Sequence, residues 1–257
     1  MDNNRINRDM DITRDELSQI FTDLQTLVGA YGDLSIAPLP LSEKALTYLN
    51  GDITHMKNRT EKDGVTAAAP QFSSLEALRA HIGECTRCGL HRNRNKMVFG
   101  EGDAGARLIF IGEGPGADED RAGRPFVGRA GELLTKIITD GMGLTRDAVY
   151  ICNIVKCHPP KNRDPEPDEI EACLPFLKHQ IDIIKPEVIC TLGRVAAQSL
   201  FGKAFKISSE RGRWNDHRGI PVMPTYHPAY LLRNPSAKRD TWEDIKAVMD
   251  RLGLEVK

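Results

Sequence analysis

From Ser74 onward the chain alternates short unbroken apolar runs with longer stretches whose apolar residues recur every three or four positions. Runs of the first kind suit buried strands and stretches of the second kind suit helices buried along one face. Their alternation predicts an α/β domain with a largely parallel sheet. Four strands are expected, over 108–111, 149–155, 188–192 and 221–226, with helices near 128–140, 168–184, 194–200 and 241–252. This predicts a three-layer α/β/α arrangement around a central four-stranded, mainly parallel sheet, and about 185 residues suffice for one substantial core.

The amino-terminal part has a different pattern. Thr13 and Glu16 form a capping box, and Leu17, Ile20, Phe21, Leu24, Leu27 and Val28 recur at helical spacing until Gly29 and Gly32. Residues 37–71 turn to Pro, Ser, Thr, Asn, Gly and Ala, with Thr66-Ala-Ala-Ala-Pro70 reading as a tether. The expected division is a partly helical appendage over 1–72 and a domain over 73–257. The amphipathic helix offers a docking face for a protein partner or for the domain itself.

Charge narrows the function only locally. The 35 Lys and Arg nearly balance the 36 Asp and Glu, which describes an ordinary soluble protein. Two clusters, Arg87/His91/Arg92/Arg94/Lys96 and Arg233/Lys238/Arg239, suit phosphate contacts. No stretch approaches membrane-spanning length, and residues 1–14 carry charge where a signal peptide needs an apolar core. The expectation is a cytoplasmic protein with reduced thiols and no membrane contact.

Cys85-x-x-Cys88, followed far downstream by Cys157 and Cys173, has the spacing of a metal site that would pin one segment onto the body of a domain. Zinc and a [4Fe-4S] cluster both accept four thiolates, so spacing leaves them open, together with ordinary buried thiols. Cys152 and Cys190 lie inside apolar runs and read as core thiols.

In open α/β sheets ligands gather beyond the carboxyl ends of the strands. There the sequence has Gly112-Glu113-Gly114-Pro115-Gly116, Asn153 and His227-Pro228. The glycine turn presents backbone amides, but it lacks Gly-Lys-Ser/Thr, and Asp118, Glu119 and Asp120 place negative charge where a pyrophosphate needs the opposite. A planar, uncharged heterocycle fits better. Asn153 offers donors and an acceptor to an amide-like edge, Phe126 offers a stacking face, and His227 is placed to polarise a carbonyl.

Gly112-Glu-Gly-Pro-Gly-Ala-Asp-Glu-Asp120, Gly123-Arg-Pro-Phe-Val-Gly128, Asn153-Ile-Val-Lys-Cys157 and His227-Pro-Ala-Tyr-Leu-Leu-Arg-Asn-Pro235, taken with the four cysteines, resemble the motifs of family 4 uracil-DNA glycosylases, the iron-sulfur bacterial and archaeal type. The resemblance runs from about Ser74 to the carboxyl terminus. It implies hydrolysis of the N-glycosidic bond of deoxyuridine in DNA, leaving an abasic site for base-excision repair, and a structural [4Fe-4S] cluster on Cys85, Cys88, Cys157 and Cys173, with zinc the minor alternative.

By that resemblance Phe126 stacks on the flipped uracil, Asn153 reads its N3–H and O4 edge, and His227 stabilises negative charge at O2. The amides of Gly114 to Gly116 assist around the pyrimidine. Glu113 helps place the water or favours the sugar cation, and Glu119 crowds the 5-position against thymine. Family 1 enzymes have an aspartate where this chain has Gly114, which leaves the water without a strong base there. Leu231, Leu232 and Arg233 are expected at the DNA, with Leu232 the favoured wedge for the vacated stack. One active site per flipped base suits a monomer. A glycosylase of altered scope and a non-catalytic iron-sulfur nucleic-acid-binding protein are the competing readings. The basic insertion of the covalently trapping subgroup is missing, because Cys157 leads through His158-Pro-Pro-Lys-Asn-Arg163 directly to the helix of Cys173.

Overall fold

The computed structural model describes residues 72–255. The helix and tether read from the sequence over residues 12–71 lie outside the described residues. The strands are β1 (Glu101–Gly102), β2 (Leu108–Gly112), β3 (Tyr150–Asn153), β4 (Val188–Leu192), β5 (Asn215–His217) and β6 (Ile220–Thr225). The helices are α1 (Leu75–Ile82), α2 (Ala117–Ala122), α3 (Arg129–Lys136), α4 (Pro167–Ile184), α5 (Arg194–Phe201), α6 (Ile207–Glu210), α7 (Pro228–Arg233) and α8 (Lys238–Arg251).

The sheet order is β1-β3-β2-β4-β6-β5. Its four inner strands are parallel and are the four expected from the sequence. The sheet has six strands, not four, because β1 and β5 pair antiparallel at its edges. These edge strands are two and three residues long and polar, so no apolar run announces them. Edge pairing is set by the neighbouring strand and not by local propensity.

Both faces of the inner strands are buried, and side-chain alternation sorts them into two layers. Ile109, Ile111, Cys152, Ile189 and Val222 face α1, α4 and α5, where Leu78, Leu177, Ile181 and Ala196 meet them. Leu108, Phe110, Ile151, Cys190 and Met223 face α3 and α8, meeting Leu134, Ile245, Val248 and Met249. This is the expected three-layer arrangement.

Local chemistry fixes the helix ends. Ser74 Oγ accepts from Ala77 N at 3.2 Å to start α1, and α4 opens with Pro167 behind a capping box between Glu166 and Glu169. The ring of Phe72, placed by sequence in the appendage, packs 4.9 and 5.0 Å from the rings of His81 and His179 and so belongs to this unit. The helix expected over 128–140 is α3 followed by a wider turn over Ile137–Gly141, in which Met142 N donates to Ile137 O.

The chain leaves β2 through α3 on one face to reach β3, then crosses through α4 on the other face to β4, on the opposite side of β2. That reversal opens a crevice beyond the carboxyl end of β2, the usual ligand position of an open α/β sheet. Beyond the ladder, Ile154 N donates to Gly112 O and Val155 N to Glu113 O, tying the glycine turn to the end of β3. Among the described residues no helix is long and apolar enough to cross a membrane.

Candidate active site

A cleft of about 470 Å³ occupies this crevice, lined by the glycine turn, Phe126, Asn153 and His227 together with residues 159–164 and the start of α7. Gly112 makes the convergence physically possible. A Cβ there would stand 2.5 Å from Phe126 Cζ and closer still to Asn153 Oδ1. The Phe126 backbone is left-handed, with φ 51°, a strained state for an aromatic residue. Two neighbours hold it so. Gly131 leaves room for the Phe126 carbonyl, which any Cβ would overlap, and Glu119 Oε1 accepts from Val127 N (3.2 Å) and Gly128 N (3.3 Å).

Asn153 closes β3 and is buried, yet its Oδ1 has no hydrogen-bond partner. An unpaired buried acceptor costs about 1–3 kcal/mol, which a ligand donor recovers. His227 caps α7, with Nδ1 accepting from Ala229 N at 3.1 Å. Its ring lies 5.6 Å from that of Phe126. A backbone amide always donates, so Nδ1 is unprotonated and the neutral ring carries its hydrogen on Nε2. Desolvation, with the charge of Arg233 adding to it, pushes the His227 pKa down to about 4. At neutral pH the ring is therefore an uncharged donor.

Glu113 behaves oppositely. Burial and the nearby Asp164 raise its carboxyl to about 7, while Arg194 pulls it the other way. Asp164 and Arg194 are themselves ion-paired at the rim. The cleft thus joins a neutral donor, an aromatic face, an orphan acceptor and a carboxyl poised near neutrality, a set suited to cleaving a bond to a flat heterocycle.

Cys85, Cys88, Cys157 and Cys173 line a second pocket, between α1, the end of β3 and α4. Three sulfurs receive N–H donors: Cys85 from Arg87 (3.4 Å), Cys157 from Arg94 (3.2 Å) and Cys173 from the amide of Lys156 (3.3 Å). Burial raises the Cys157 thiol and pushes that of Cys173 up to about 11. Among the described residues no three His, Cys, Asp or Glu side chains are grouped as around a single ion. Cys152 and Cys190 are buried in the two core layers, as expected.

The expected site residues divide clearly. Glu113, Gly114, Gly116, Glu119, Phe126, Asn153, His227 and Arg233 all line the cleft. Leu231 requires correction, because it is 1 % exposed and packed into the domain, whereas Leu232 at 38 % stands free. The first basic cluster is corrected in part. Arg94 bonds Cys85 O and Cys157 Sγ, and Arg87 lies over the Phe176 ring, so both wrap the cysteine loop. Missed by the sequence reading were Tyr230, 38 % exposed at the cleft, and the rim residues Pro159, Asn162, Arg163 and Asp164. The signal for the rim was their position just beyond β3.

The cleft lies at the switch point of a three-layer α/β sheet, the usual ligand position of such a fold. The sequence model of the uracil DNA glycosylase superfamily matches residues 99–246. The type-4 uracil-DNA glycosylase of Thermotoga maritima is 49% identical over 176 residues, covering 67% of this chain and 91% of its own. That of Sulfurisphaera tokodaii is 46% identical over 187 residues, covering 70% and 85%. A type-5 uracil-DNA glycosylase of Pyrobaculum aerophilum is 30% identical over 170 residues, covering 60% and 74%. The chain belongs to the uracil DNA glycosylase superfamily, within its type-4 family.

Proposed function

We propose that this protein hydrolyses the bond between uracil and deoxyribose in DNA, releasing uracil and leaving an abasic site. The observation that carries this reading is the orphan Oδ1 of Asn153. Uracil presents N3–H to it, whereas cytosine presents an unprotonated ring nitrogen and leaves the acceptor unpaired. In single-stranded oligonucleotides, N3-methylation of the uracil should lower release by at least about 10²-fold, since the donor is lost while the leaving group stays. Undiminished release of 3-methyluracil would overturn this assignment.

The reaction follows from the groups around the base. Flipping costs a few kcal/mol, offset by stacking on Phe126 and by the Asn153 pair. As the bond breaks, negative charge grows on uracil, and Nε2–H of His227, helped by the turn amides of Gly114 and Gly116, meets it at O2. The Glu113 carboxylate favours the sugar cation and orients water, while Glu119 guards the 5-position. Leu232 and Arg233 engage the duplex. Gly112→Ala would push Phe126 and Asn153 apart, and misplacement of that order is expected to lower kcat/KM about 10²-fold. Measured kinetics within twofold of wild type would show that the convergence is unimportant.

Glu113 must be ionised for this role. With its value near 7, kcat/KM should rise with pH up to about 7 and then level, and Glu113→Gln should lose that limb along with most activity. Asp164→Asn should move the limb to lower pH and Arg194→Ala to higher pH. The folded state holds this proton more tightly than the unfolded chain. Its contribution to stability is thus full below about pH 4.5 and is lost as pH rises through about 7. A pH profile flat between 5 and 8 would remove Glu113 from the mechanism.

Cys85, Cys88, Cys157 and Cys173 would hold a [4Fe-4S] cluster, supported by four thiols around one pocket and the three N–H···S donors. When bound, the cluster supplies a covalent anchor that ties the Cys85–Cys88 loop to α4 and the end of β3. We place the activity in the cytoplasm, on uracil-containing DNA and as a monomer. The sequence pattern of residues 1–71 suits an appendage that docks on a protein partner or on the domain itself.

A further inference from the structure

Lys156, inside the Asn153 to Cys157 motif, is 1 % exposed and has no part in the reaction described above. Its Nζ donates to Asn153 O at 2.7 Å and to Gln180 Oε1 at 2.6 Å. Gln180 is itself fixed, with Nε2 donating to Phe99 O (2.9 Å) and Tyr150 Oη (3.0 Å). The acceptors around the ammonium are neutral, and among the described residues it forms no ion pair with a carboxylate.

A buried ammonium without an anion is costly, and a lysine fully enclosed by protein is rare unless paired. The cysteine sulfurs lie in the adjoining pocket. Lys156 precedes Cys157, its amide donates to Cys173 Sγ at 3.3 Å, and the residue is among those that line the cysteine pocket. On its other side it grips the carbonyl of the residue whose amide enters the cleft.

We propose that Lys156 is a positioning residue coupling the two pockets: its ammonium is the counter-charge of the cysteine set and, through Asn153 O, fixes the strand end that presents the Asn153 amide to the base. The proposal rests on the reading of Asn153 and of the four cysteines given under Proposed function. A merely structural lysine would matter for stability alone. A coupling lysine ties base release to Asn153 and the electrostatics of the cluster to its own charge.

The test uses anaerobically purified full-length wild type, Lys156→Met and Lys156→Gln, each alone and combined with Asn153→Ala. Loss of a supporting contact of this kind should lower kcat/KM for uracil release about 10–100-fold in the wild-type background. Within Asn153→Ala, the further loss should be under about threefold, since coupled residues are not additive. Iron content should persist, and the cluster should become harder to reduce, because a positive charge beside it has gone.

Should both lysine variants fail to fold, Gln180→Glu gives the electrostatic arm. It places a carboxylate beside Nζ and leaves the bond to Asn153 O, but gives up the Nε2 donor to Phe99 O and Tyr150 Oη, so it is read in protein shown folded by thermal unfolding, where the cluster should become harder to reduce and uracil release should persist. Equal losses in both backgrounds, or a reduction potential unmoved by Lys156→Gln or Gln180→Glu, would overturn the proposal. No uracil release by the wild type would instead sink the functional reading, and the potential would still report on the lysine.

Discussion

Replacing His227 by Ala should lower kcat for uracil release by about 10²–10³-fold while leaving DNA affinity nearly unchanged. The expectation follows from when the contact becomes strong. Ground-state uracil offers O2 as a neutral carbonyl, but the departing base places anionic charge there. A fixed donor in a site that excludes water therefore stabilises the transition state more than the substrate. The protein prepares His227 for this in two ways. Ala229 N occupies Nδ1 and so fixes the hydrogen on Nε2, and desolvation with Arg233 nearby holds the pKa near 4. The ring is thus a neutral donor across the working range, needing no reorganisation as the bond breaks. His227→Gln, which keeps a donor, should recover part of the loss. A fall confined to KM would show that His227 binds substrate without acting on the transition state.

Loss of one of the cysteines proposed to hold the cluster should have the largest effect on stability. Cys157→Ala or Cys173→Ala is expected to release iron and to lower the melting temperature by roughly 10 °C or more, since binding energy at a structural metal site is folding energy. The pocket joins α1, the loop carrying Cys85 and Cys88, the end of β3 and the first half of α4. Its loss therefore loosens the strand that carries Asn153, and uracil release should fall with it. Cys152→Ala is the control. That thiol is equally buried but lies in the core layer, so it should cost the few kcal/mol or less of a small cavity and retain iron. Thermal unfolding with iron quantification checks both, and equal behaviour of Cys152→Ala and Cys157→Ala would count against a cluster at this pocket.

The inner sheet was legible because its strands are buried on both faces and therefore read as unbroken apolar runs, as at Leu108 to Ile111 and Val188 to Leu192. The edge strands were not, since Glu101-Gly102 and Asn215 to His217 pair through backbone alone and bury no apolar face. Within the site, the side chains with obvious chemistry could be found from their places after strands. The groups that make them work could not. Gly112 and Gly131 act through space they leave empty, and the strain at Phe126 depends on contacts that sequence does not display. Leu231 and Leu232 are adjacent and identical in type, so only the orientation of α7 decides that one is core and the other exposed. Arg87 and Arg94 resembled a phosphate patch, yet the fold turns both toward sulfur. The charge of Glu113 is likewise a product of burial beside Asp164, a neighbour from another loop.

The most direct test is base release by anaerobically purified protein from matched oligonucleotides that differ only in one uracil, cytosine or thymine, with Asn153→Ala alongside. Alkali-sensitive cleavage at uracil alone, lost in the variant, is the predicted result. Tight DNA binding with an intact cluster and no release of uracil would contradict the account and favour a binding protein that has kept the pocket without the reaction.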